Sequence, residues 1–264
     1  MFVYRGSTAL VTGASKGLGE VFADALAARG MNLVLVARSA DALRALAERL
    51  TAKYEVQCVP LNADLANPNA VSQIGEELDR RGMQIDLLIN NAGLGLTGSF
   101  LTHEITKEQA AIQVNVQALV ALTHHFDSAM AIRGKGGIIN LASNSAFQPL
   151  PHMATYAAAK AFVLYFSEAL QHELKDRGVR VMAVCPGPTA TSFFEGTATA
   201  LSAKDMDSSE MVVRETLRAF DRGKAVVYPG RLSVRAATWV PRLLPRSLIV
   251  RIAARATEKM GLHD

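Results

Sequence analysis

The chain contains little cysteine, and the two residues it has are far apart. Cys58 and Cys185 are the only cysteines among 264 residues, and neither belongs to a Cys-x-x-Cys motif or a Cys/His cluster. A disulfide framework and a zinc site of the usual ligand spacing are therefore excluded. We expect a protein of a reducing compartment, the cytoplasm, with no bound metal.

Long hydrophobic runs and a strong charge of one sign are also absent. The most apolar candidate for a membrane span, 236–254, is interrupted by three arginines and two prolines. The start of the chain lacks the order of basic region, apolar stretch and cleavage site that a secretory signal requires. With 28 basic and 24 acidic residues, the formal charge of +4 is too small and too dispersed to indicate nucleic-acid binding. These absences predict a soluble protein without a nucleic-acid partner.

What the sequence does contain is a regular alternation of two kinds of segment. Half of the residues are hydrophobic and one fifth are charged, which suits one compact domain over 1–264. Short, continuously apolar runs typical of buried strands occupy 8–12, 32–37, 56–62, 85–90, 137–143 and 180–186. Amphipathic, helix-patterned segments occupy 20–29, 41–53, 70–81, 107–132 and 155–177. This alternation predicts an α/β fold with a doubly wound parallel sheet, right-handed crossovers and helices on both faces.

The alternation changes after Pro186. A Thr/Ser/Ala-rich stretch and a helical pattern form a long excursion over 188–224, which we interpret as a substrate lid, before a short strand at 225–229. From Arg222 to Thr257 there are eight basic residues and no acidic one, and 231–264 has the composition of a basic amphipathic extension. Packing on the body or on a partner subunit is the favoured interpretation of this extension. Peripheral contact with anionic lipid, or binding of an acidic protein or acyl carrier, are the alternatives.

A glycine-rich turn follows the first strand and opens the first helix, as Thr12-Gly13-Ala14-Ser15-Lys16-Gly17-Leu18-Gly19. Glycines at such a place allow a tight turn and a close backbone approach to a pyrophosphate at the helix N-terminus. The second strand ends at Arg38, about 20 residues further on, where an NAD-selective fold would have an acidic residue. Arg38 and Lys16 can instead pair with a 2′-phosphate, so the sequence predicts NADP(H) as the cofactor.

Tyr156 and Lys160 are spaced i, i+4 on a predicted helix, and Ser143 ends the strand before it. This spacing places the ammonium and the phenol on one helical face. A phenol titrates near ~10, and a neighbouring cation lowers its pKa toward working pH. Such a phenol can protonate a carbonyl oxygen as hydride arrives and remove the proton in reverse, while Ser143 orients that oxygen.

Over roughly residues 6 to 230, these motifs and their order make the chain resemble the short-chain dehydrogenase/reductase family. The resemblance rests on Thr12 to Gly19, Asp64-Leu65, Asn90-Asn91-Ala92-Gly93, Asn115, Ser143, Tyr156 with Lys160, and Pro186-Gly187 followed by Thr189. It implies a single Rossmann-like domain of about seven strands, and a homodimer or homotetramer.

The resemblance also assigns roles by position. It implies that Asp64 and Leu65 flank the adenine, that Asn115 holds a water connected to Lys160, and that Thr189 holds the nicotinamide carboxamide. The expected catalytic residues are Asn115, Ser143, Tyr156 and Lys160. The expected cofactor-binding residues are Gly13, Ser15, Lys16, Gly17, Leu18, Gly19, Arg38, Asp64, Leu65, Asn91, Ala92, Gly93, Tyr156, Lys160, Pro186, Gly187 and Thr189.

The expected function is NADP(H)-dependent interconversion of a carbonyl and a secondary alcohol, with Tyr156 as the acid/base. The stretch 186–193 is similar to family members acting on ketoacyl or other hydrophobic carbonyl substrates. Phe193 and Phe194 either line an apolar pocket under the lid or anchor the lid to the core. The alternatives are an NAD-dependent alcohol dehydrogenase and a dinucleotide-binding regulatory protein without catalysis.

Overall fold

The protein is a doubly wound α/β structure built on one parallel sheet. The computed structural model describes residues 2–191, 193, 200 and 202–262. Seven strands are hydrogen-bonded in the order β3-β2-β1-β4-β5-β6-β7, all parallel. The strands are Thr8–Thr12 (β1), Asn32–Ala37 (β2), Cys58–Asn62 (β3), Leu87–Asn90 (β4), Gly136–Leu141 (β5), Val179–Val184 (β6) and Val226–Val227 (β7). The predicted fold class is confirmed.

Helices cover both faces of this sheet. The α-helices are Gly17–Ala27 (α1), Ala40–Tyr54 (α2), Ala70–Arg80 (α3), Ile105–Ile112 (α4), Ala118–Arg133 (α5), Ala154–Leu174 (α6), Ser209–Asp221 (α7), Leu232–Ala237 (α8), Val240–Leu243 (α9) and Arg246–Lys259 (α10). Helices α1, α2 and α7 pack on one face, and α3, α5 and α6 pack on the other.

Strand β1 shows why the continuous apolar runs are buried on both sides. Ala9 and Val11 contribute to the core cluster beneath α1, α2 and α7, whereas Leu10 contributes to the cluster beneath α3 and α5. All three are fully buried. Because successive side chains of a strand point to opposite faces, a sheet covered on both sides requires apolar residues at every position.

The long helix predicted over 107–132 is interrupted in the structure. Helix α4 ends at Ile112, residues Gln113–Gln117 form a π-helical turn, and α5 begins at Ala118. A π-helical turn adds one residue to the helical repeat and re-aims the side chain within it. Asn115, at the centre of this turn, donates through Nδ2 to the carbonyls of Leu94 (2.7 Å) and Ala111 (2.9 Å). The predicted helix is therefore wrong as one continuous element.

The chain after β6 joins the site to the C-terminal helices. Residues on either side of the undescribed part meet again, because Ala190 donates to the Asp207 carbonyl and Asp207 donates to the Pro188 carbonyl, both at 2.9 Å. The predicted strand 225–229 is shorter than expected, with β7 limited to Val226–Val227 beside β6. The lid over 188–224 stays a prediction, since 192, 194–199 and 201 lie outside the described residues.

The basic extension forms three short helices, α8 to α10, rather than a strand or a single long helix. Among the described residues, no helix is both long and apolar enough to cross a membrane. One side of α10 is buried, at Ile249, Ala253 and Thr257. The extension is thus amphipathic in the structure, as its composition predicts.

Candidate active site

The glycine-rich turn packs so tightly that it leaves no space for side chains at its key positions. Gly13 and Gly17 have φ of +64° and +59°, a backbone region that glycine adopts without strain. A Cβ on Gly13 would lie 2.9 Å from Asn91 Nδ2 and 3.0 Å from the Ala92 Cα, and a Cβ on Gly19 would collide with the Gly13 carbonyl. The turn thus leads the bare backbone directly into the N-terminus of α1, an arrangement that suits a pyrophosphate.

Thr12, the last residue of β1, fixes this turn against the end of β4. Its hydroxyl donates to the Ile89 carbonyl (3.2 Å) and accepts from the backbone N–H groups of Asn91 and Ala92, at 3.0 Å each. Asn91 Nδ2 in turn donates to the Thr12 carbonyl (2.9 Å). Asn91 and Ala92, which we predicted as cofactor-binding residues, therefore support the turn directly. The hydroxyl of Thr12 carries a structural role that the sequence analysis missed; its position at the strand end before Gly13 was the available signal.

The remaining adenine-side residues lie at the same edge of the sheet. Arg38 follows β2 and is exposed, and Lys16 is exposed within the turn before α1. Asp64, after β3, is exposed and its carboxylate accepts from the Ala66 N–H (3.0 Å). Leu65 differs, because its side chain is buried in the core beneath α3 and α5. Ser15 is half-buried, and Leu18 packs against the core on the α1 side.

The predicted catalytic side chains of β5 and α6 come together. Ser143 follows β5 and is buried, Tyr156 lies in the first turn of α6 and Lys160 one turn later. The Ser143 side chain lies near the Tyr156 phenol and lowers its pKa. The Lys160 ammonium lies 5.6 Å from the centre of the Tyr156 ring and donates to the Leu141 carbonyl (2.7 Å). The Leu141 carbonyl, invisible to sequence reasoning because it is backbone, holds the lysine in place.

Burial sets the acidities of this pair in a direction that the sequence analysis did not anticipate. Burial raises the pKa of Tyr156 to about 12, and the Ser143 side chain only opposes this rise. Burial also lowers the pKa of Lys160 to about 8. The expectation that the ammonium brings the phenol toward neutral pH is therefore wrong for this arrangement. Desolvation disfavours both charged forms, so phenol and amine are each shifted toward neutrality.

Asn115 and Gly93 complete the surroundings of the lysine. Asn115 is buried, and its Oδ1 has no hydrogen-bond partner among the described residues. A Cβ on Gly93 would lie 2.9 Å from that Oδ1 and 3.5 Å from the Lys160 Nζ. Gly93 therefore keeps open a narrow space between a free acceptor and the ammonium. This geometry suits the predicted proton path between Asn115 and Lys160.

The chain after β6 closes over this edge of the sheet. The Pro186 carbonyl accepts from the Asn144 N–H (2.9 Å), and the buried Thr189 donates through Oγ1 to the Gly187 carbonyl (3.0 Å). A Cβ on Gly17 would lie 3.2 Å from the Thr191 Cβ. The start of the predicted lid thus reaches the glycine-rich turn.

Phe193 gives the site an apolar wall. Its ring lies 5.3 Å from that of Tyr156, and it covers Gly95 so closely that a Cβ there would collide with it. Gly95 was not predicted as a site residue, because nothing marks it in the sequence apart from its being a glycine after the Asn90 to Gly93 motif. Phe194, the second predicted lining residue, lies outside the described residues.

Comparison with known proteins agrees with this geometry. Residues 7–201 match the sequence model of the family described as short chain dehydrogenase. The chain is 34% identical over 195 residues to the very-long-chain 3-oxoacyl-CoA reductase of Bos taurus, a match that covers 71% of this chain and 61% of that protein. The chain therefore spans about three fifths of the length of this curated relative.

Two solved structures share the fold over nearly their whole length. A short-chain dehydrogenase from Sphingobium yanoikuyae in complex with NADPH superposes with a TM-score of 0.81 at 33% identity, over 91% of this chain and 97% of that one. The bulky-bulky ketone specific alcohol dehydrogenase from Comamonas testosteroni gives 0.77 at 31% identity, over 91% and 96%. With the family match over residues 7–201 and these likenesses, the chain belongs to the short-chain dehydrogenase family, whose members are dinucleotide-dependent oxidoreductases.

Proposed function

We propose that this protein is an NADP(H)-dependent reductase of hydrophobic, acyl-type carbonyl compounds, with Tyr156 as the proton donor. The observation that carries the proposal is the convergence of Ser143, Tyr156 and Lys160 at the carboxyl edge of the sheet that also carries the glycine-rich turn. Ligands of open α/β sheets bind at this edge. The same edge therefore holds both a dinucleotide cradle and a proton-transfer group.

The residues of the turn fit a dinucleotide. Gly13, Gly17 and Gly19 leave a cradle that a Cβ would fill, next to the N-terminus of α1. In this proposal Lys160 binds the nicotinamide ribose and Thr189 binds the carboxamide, the roles that the family resemblance implies. When bound, the cofactor supplies the hydride that adds to the carbonyl carbon.

The chain's own residues provide the proton. At neutral pH Tyr156 is protonated, as a phenol ordinarily is, and burial, which raises its pKa to about 12, disfavours the phenolate further. It can therefore donate a hydrogen bond, and then the proton, to a carbonyl oxygen that Ser143 orients. Lys160, whose pKa burial lowers to about 8, gives up a proton more readily than an exposed lysine and can restore that of Tyr156. The resting state thus favours reduction of a carbonyl.

A preference for NADP(H) is supported by charge. Arg38 and Lys16 are both exposed at the ends of neighbouring strands β2 and β1, where a 2′-phosphate would lie. The guanidinium can form a bidentate contact with phosphate and also stack on the adenine. The Sphingobium yanoikuyae relative was solved in complex with NADPH, at 33% identity.

A hydrophobic substrate is supported by the wall over the catalytic tyrosine. Phe193 presents an aromatic face beside Tyr156, where the reacting carbonyl must lie. The names of two relatives, a very-long-chain 3-oxoacyl-CoA reductase and a bulky-bulky ketone specific alcohol dehydrogenase, describe large carbonyl substrates. We therefore propose that the substrate carries a long acyl or bulky apolar group. As a separate proposal, the enzyme is located in the cytoplasm.

We also propose that the protein assembles as a homodimer or homotetramer. Helix α6 exposes a stacked aromatic pair, Phe162 with Phe166, and Tyr165 is 69% exposed. Exposed aromatic side chains grouped on one helix are typical of subunit interfaces. The molar mass measured by light scattering tests this assignment.

The experiment that tests the function follows NADPH oxidation by its absorbance. The panel contains 3-oxoacyl thioesters, bulky ketones, steroids, quinones and small ketones, each assayed with NADPH and with NADH. We expect turnover with large apolar carbonyls, and preference for NADPH. A preference for NADH would support the alternative of an NAD-dependent dehydrogenase. Tight NADPH binding without turnover on any compound would favour the non-catalytic alternative.

Tyr156→Phe is the decisive variant. We expect turnover to fall by about 10²–10⁴-fold, because the general acid is lost, whereas the affinity for NADPH stays within about twofold, since a single hydroxyl is removed. Tyr54→Phe is the matched control, because it also removes one phenol hydroxyl, which lies on α2 and donates to Asp24 rather than to the site. Near-normal turnover of Tyr156→Phe would exclude this residue as the acid/base.

A further inference from the structure

The C-terminal extension has an outer face that nothing in the described part of the molecule covers. In α10 the buried residues Ile249, Ala253 and Thr257 follow one another at intervals of four and share one side of the helix. Four exposed residues spaced i, i+3, i+4 and i+7 share the opposite side of the helix. This α10 outer face consists of Leu248, Arg251, Ile252 and Arg255.

The outer face combines apolar and cationic side chains. Leu248 and Ile252 are 38% and 46% exposed, side by side with Arg251 and Arg255. Among the described residues, neither arginine forms an ion pair, since Arg251 only reaches the Ser247 carbonyl at 3.4 Å. Aliphatic side chains and unneutralised arginines on one face need a partner that is apolar and anionic together.

Helix α9, which precedes α10 in the chain, also exposes apolar side chains. Leu243 is 81% exposed and Trp239, just before the helix, is 59% exposed, with the Arg242 guanidinium 4.6 Å from the centre of the tryptophan ring. Tryptophan and arginine together are typical of residues at the boundary between lipid headgroups and acyl chains. Exposed apolar and cationic side chains therefore occur in both α9 and α10.

Charge decides between the candidate partners. From Arg222 to Lys259, the end of α10, the chain has nine basic residues and one acidic residue, Glu258. A symmetric contact with a second copy would place this cationic surface against itself, which is electrostatically unfavourable. An acidic protein would neutralise the arginines but would leave the aliphatic side chains against polar groups. A lipid surface satisfies both, because its phosphates pair with the arginines and its acyl chains cover the apolar side chains.

We propose that the α10 outer face, with Trp239 and Leu243, docks the protein peripherally on anionic lipid bilayers. The docked face is close to the site. A Cβ on Gly187 would lie 2.7 Å from Val234 in α8. The Arg242 guanidinium lies 5.6 Å from the ring centre of Phe147, in the turn that follows Ser143. Helices α8 and α9, which precede α10 in the chain, therefore lie beside the carboxyl edge of β5 and β6. Lipid binding itself does not depend on the proposed function, because it requires no turnover.

Co-sedimentation of the full chain with vesicles tests the proposal. The vesicles are phosphatidylcholine alone, or phosphatidylcholine with phosphatidylserine, at low and at high salt. We expect the protein to sediment with the anionic vesicles at low salt, and to be released by salt, because headgroup attraction is screened. Absence of co-sedimentation with anionic vesicles at low salt would overturn the proposal.

Two variants locate the binding surface. Arg251→Glu/Arg255→Glu reverses the charge of the outer face, and we expect vesicle affinity to fall by about tenfold or more. Lys135→Glu/Arg177→Glu is the matched control, since both residues are exposed before β5 and β6, at the opposite edge of the sheet, and the change in charge is the same. Equal loss in both variants would show that net charge alone attracts the protein, and would overturn the docking site.

The apolar half of the face has its own test. Leu248→Ser/Ile252→Ser keeps every charge, and we expect its vesicle affinity also to fall several-fold, because less apolar surface is buried in the lipid. Its molar mass should stay that of the unmodified protein. A change in molar mass would identify the face as a subunit interface, and salt-sensitive binding of an acidic carrier protein without vesicle binding would identify a protein partner. Either result would overturn the lipid assignment.

Discussion

Basic residues have different surroundings in the part matched by the family model and in the C-terminal extension 231–264. In the part matched by the family model, polar and charged groups at the sheet edge are held by buried contacts, as Lys160 is held by the Leu141 carbonyl. In the C-terminal extension, by contrast, arginines and apolar side chains are exposed together on the helices α9 and α10. Burial of an ionisable group shifts its pKa and suits it to proton transfer. An exposed charge keeps its ordinary pKa range and is available to bind a partner. The proton-transfer groups therefore lie in the first part, together with Phe193 beside Tyr156, whereas the second part presents an exposed surface that suits a partner.

Gly13→Ala tests whether the tight packing of the glycine-rich turn, in the first part of the chain, is needed for cofactor binding. The added Cβ would lie 2.9 Å from Asn91 Nδ2 and 3.0 Å from the Ala92 Cα, so the turn must move. A displacement of about 1 Å at a positioned site can reduce its function on the order of a hundredfold. We expect NADPH affinity, measured by fluorescence titration, to fall by about that factor.

Gly82→Ala is its matched control. Gly82 has nearly the same φ, +61°, but a Cβ there would meet no atom within 4 Å. Both variants lose about 1–2 kcal/mol of stability from the left-handed backbone conformation, whereas only Gly13→Ala should lose the cofactor. Equal NADPH affinities would show that the tight packing around Gly13 has no role in binding.

Arg38→Asp tests the basis of cofactor choice. A charged hydrogen bond to phosphate contributes about 1.5–3 kcal/mol, so the ratio of kcat/KM with NADPH to that with NADH should fall by about tenfold or more. Arg44→Asp, an exposed position on α2 with the same change of charge, should leave the ratio unaltered. An unchanged ratio in Arg38→Asp would refute the charge-based account of NADP(H) preference.

Much of the first part could be predicted from sequence because its signals are local. Apolar runs predict strands, so β1 and β2 begin and end where the sequence places them. The i, i+4 spacing predicts that Tyr156 and Lys160 share a helical face, and the structure places them one turn apart in α6. Each of these inferences needs only the neighbouring residues and the geometry of one element.

What could not be predicted depends on contacts between distant segments. The π-helical turn around Asn115 has no sequence period of its own. The raised pKa of Tyr156 depends on burial by residues far along the chain, and its aromatic neighbour Phe193 is 37 positions away in the sequence. Which side of α10 is buried likewise depends on tertiary contacts and not on the helix alone. Local pattern carries no information about such contacts.

Phe193→Ala separates the proton-transfer step at Tyr156 from the preference for bulky apolar substrates. Removing the ring that lies 5.3 Å from Tyr156 takes away apolar contact with the substrate but leaves Ser143 and Lys160 untouched. Loss of a partly buried phenyl contact is worth about 1–2 kcal/mol, so we expect kcat/KM for bulky apolar carbonyls to fall by about tenfold. Turnover of a small ketone should change little. An equal loss for small and bulky substrates would mean that Phe193 acts on Tyr156 rather than on the substrate.

The smallest expected effect, and the most direct test of a core-held charge, is the pH dependence of stability. Burial lowers the pKa of Lys160 to about 8, so between about pH 8 and 9 the unfolded chain keeps the lysine proton while the folded chain loses it. Unfolding then takes up a proton, and the free energy of unfolding rises with pH, by up to about 1.4 kcal/mol per unit. Above about pH 9 the thiol of Cys185, whose pKa burial raises to about 12, acts in the opposite direction. Urea unfolding between pH 8 and 9 measures this effect. The free energy of unfolding should rise more steeply with pH for the unmodified protein than for Lys160→Met.

Lys175→Met is the control, because Lys175 is exposed just after α6. It should keep the pH dependence of the unmodified protein. Equal pH dependence in all three proteins would show that Lys160 is not desolvated by the core.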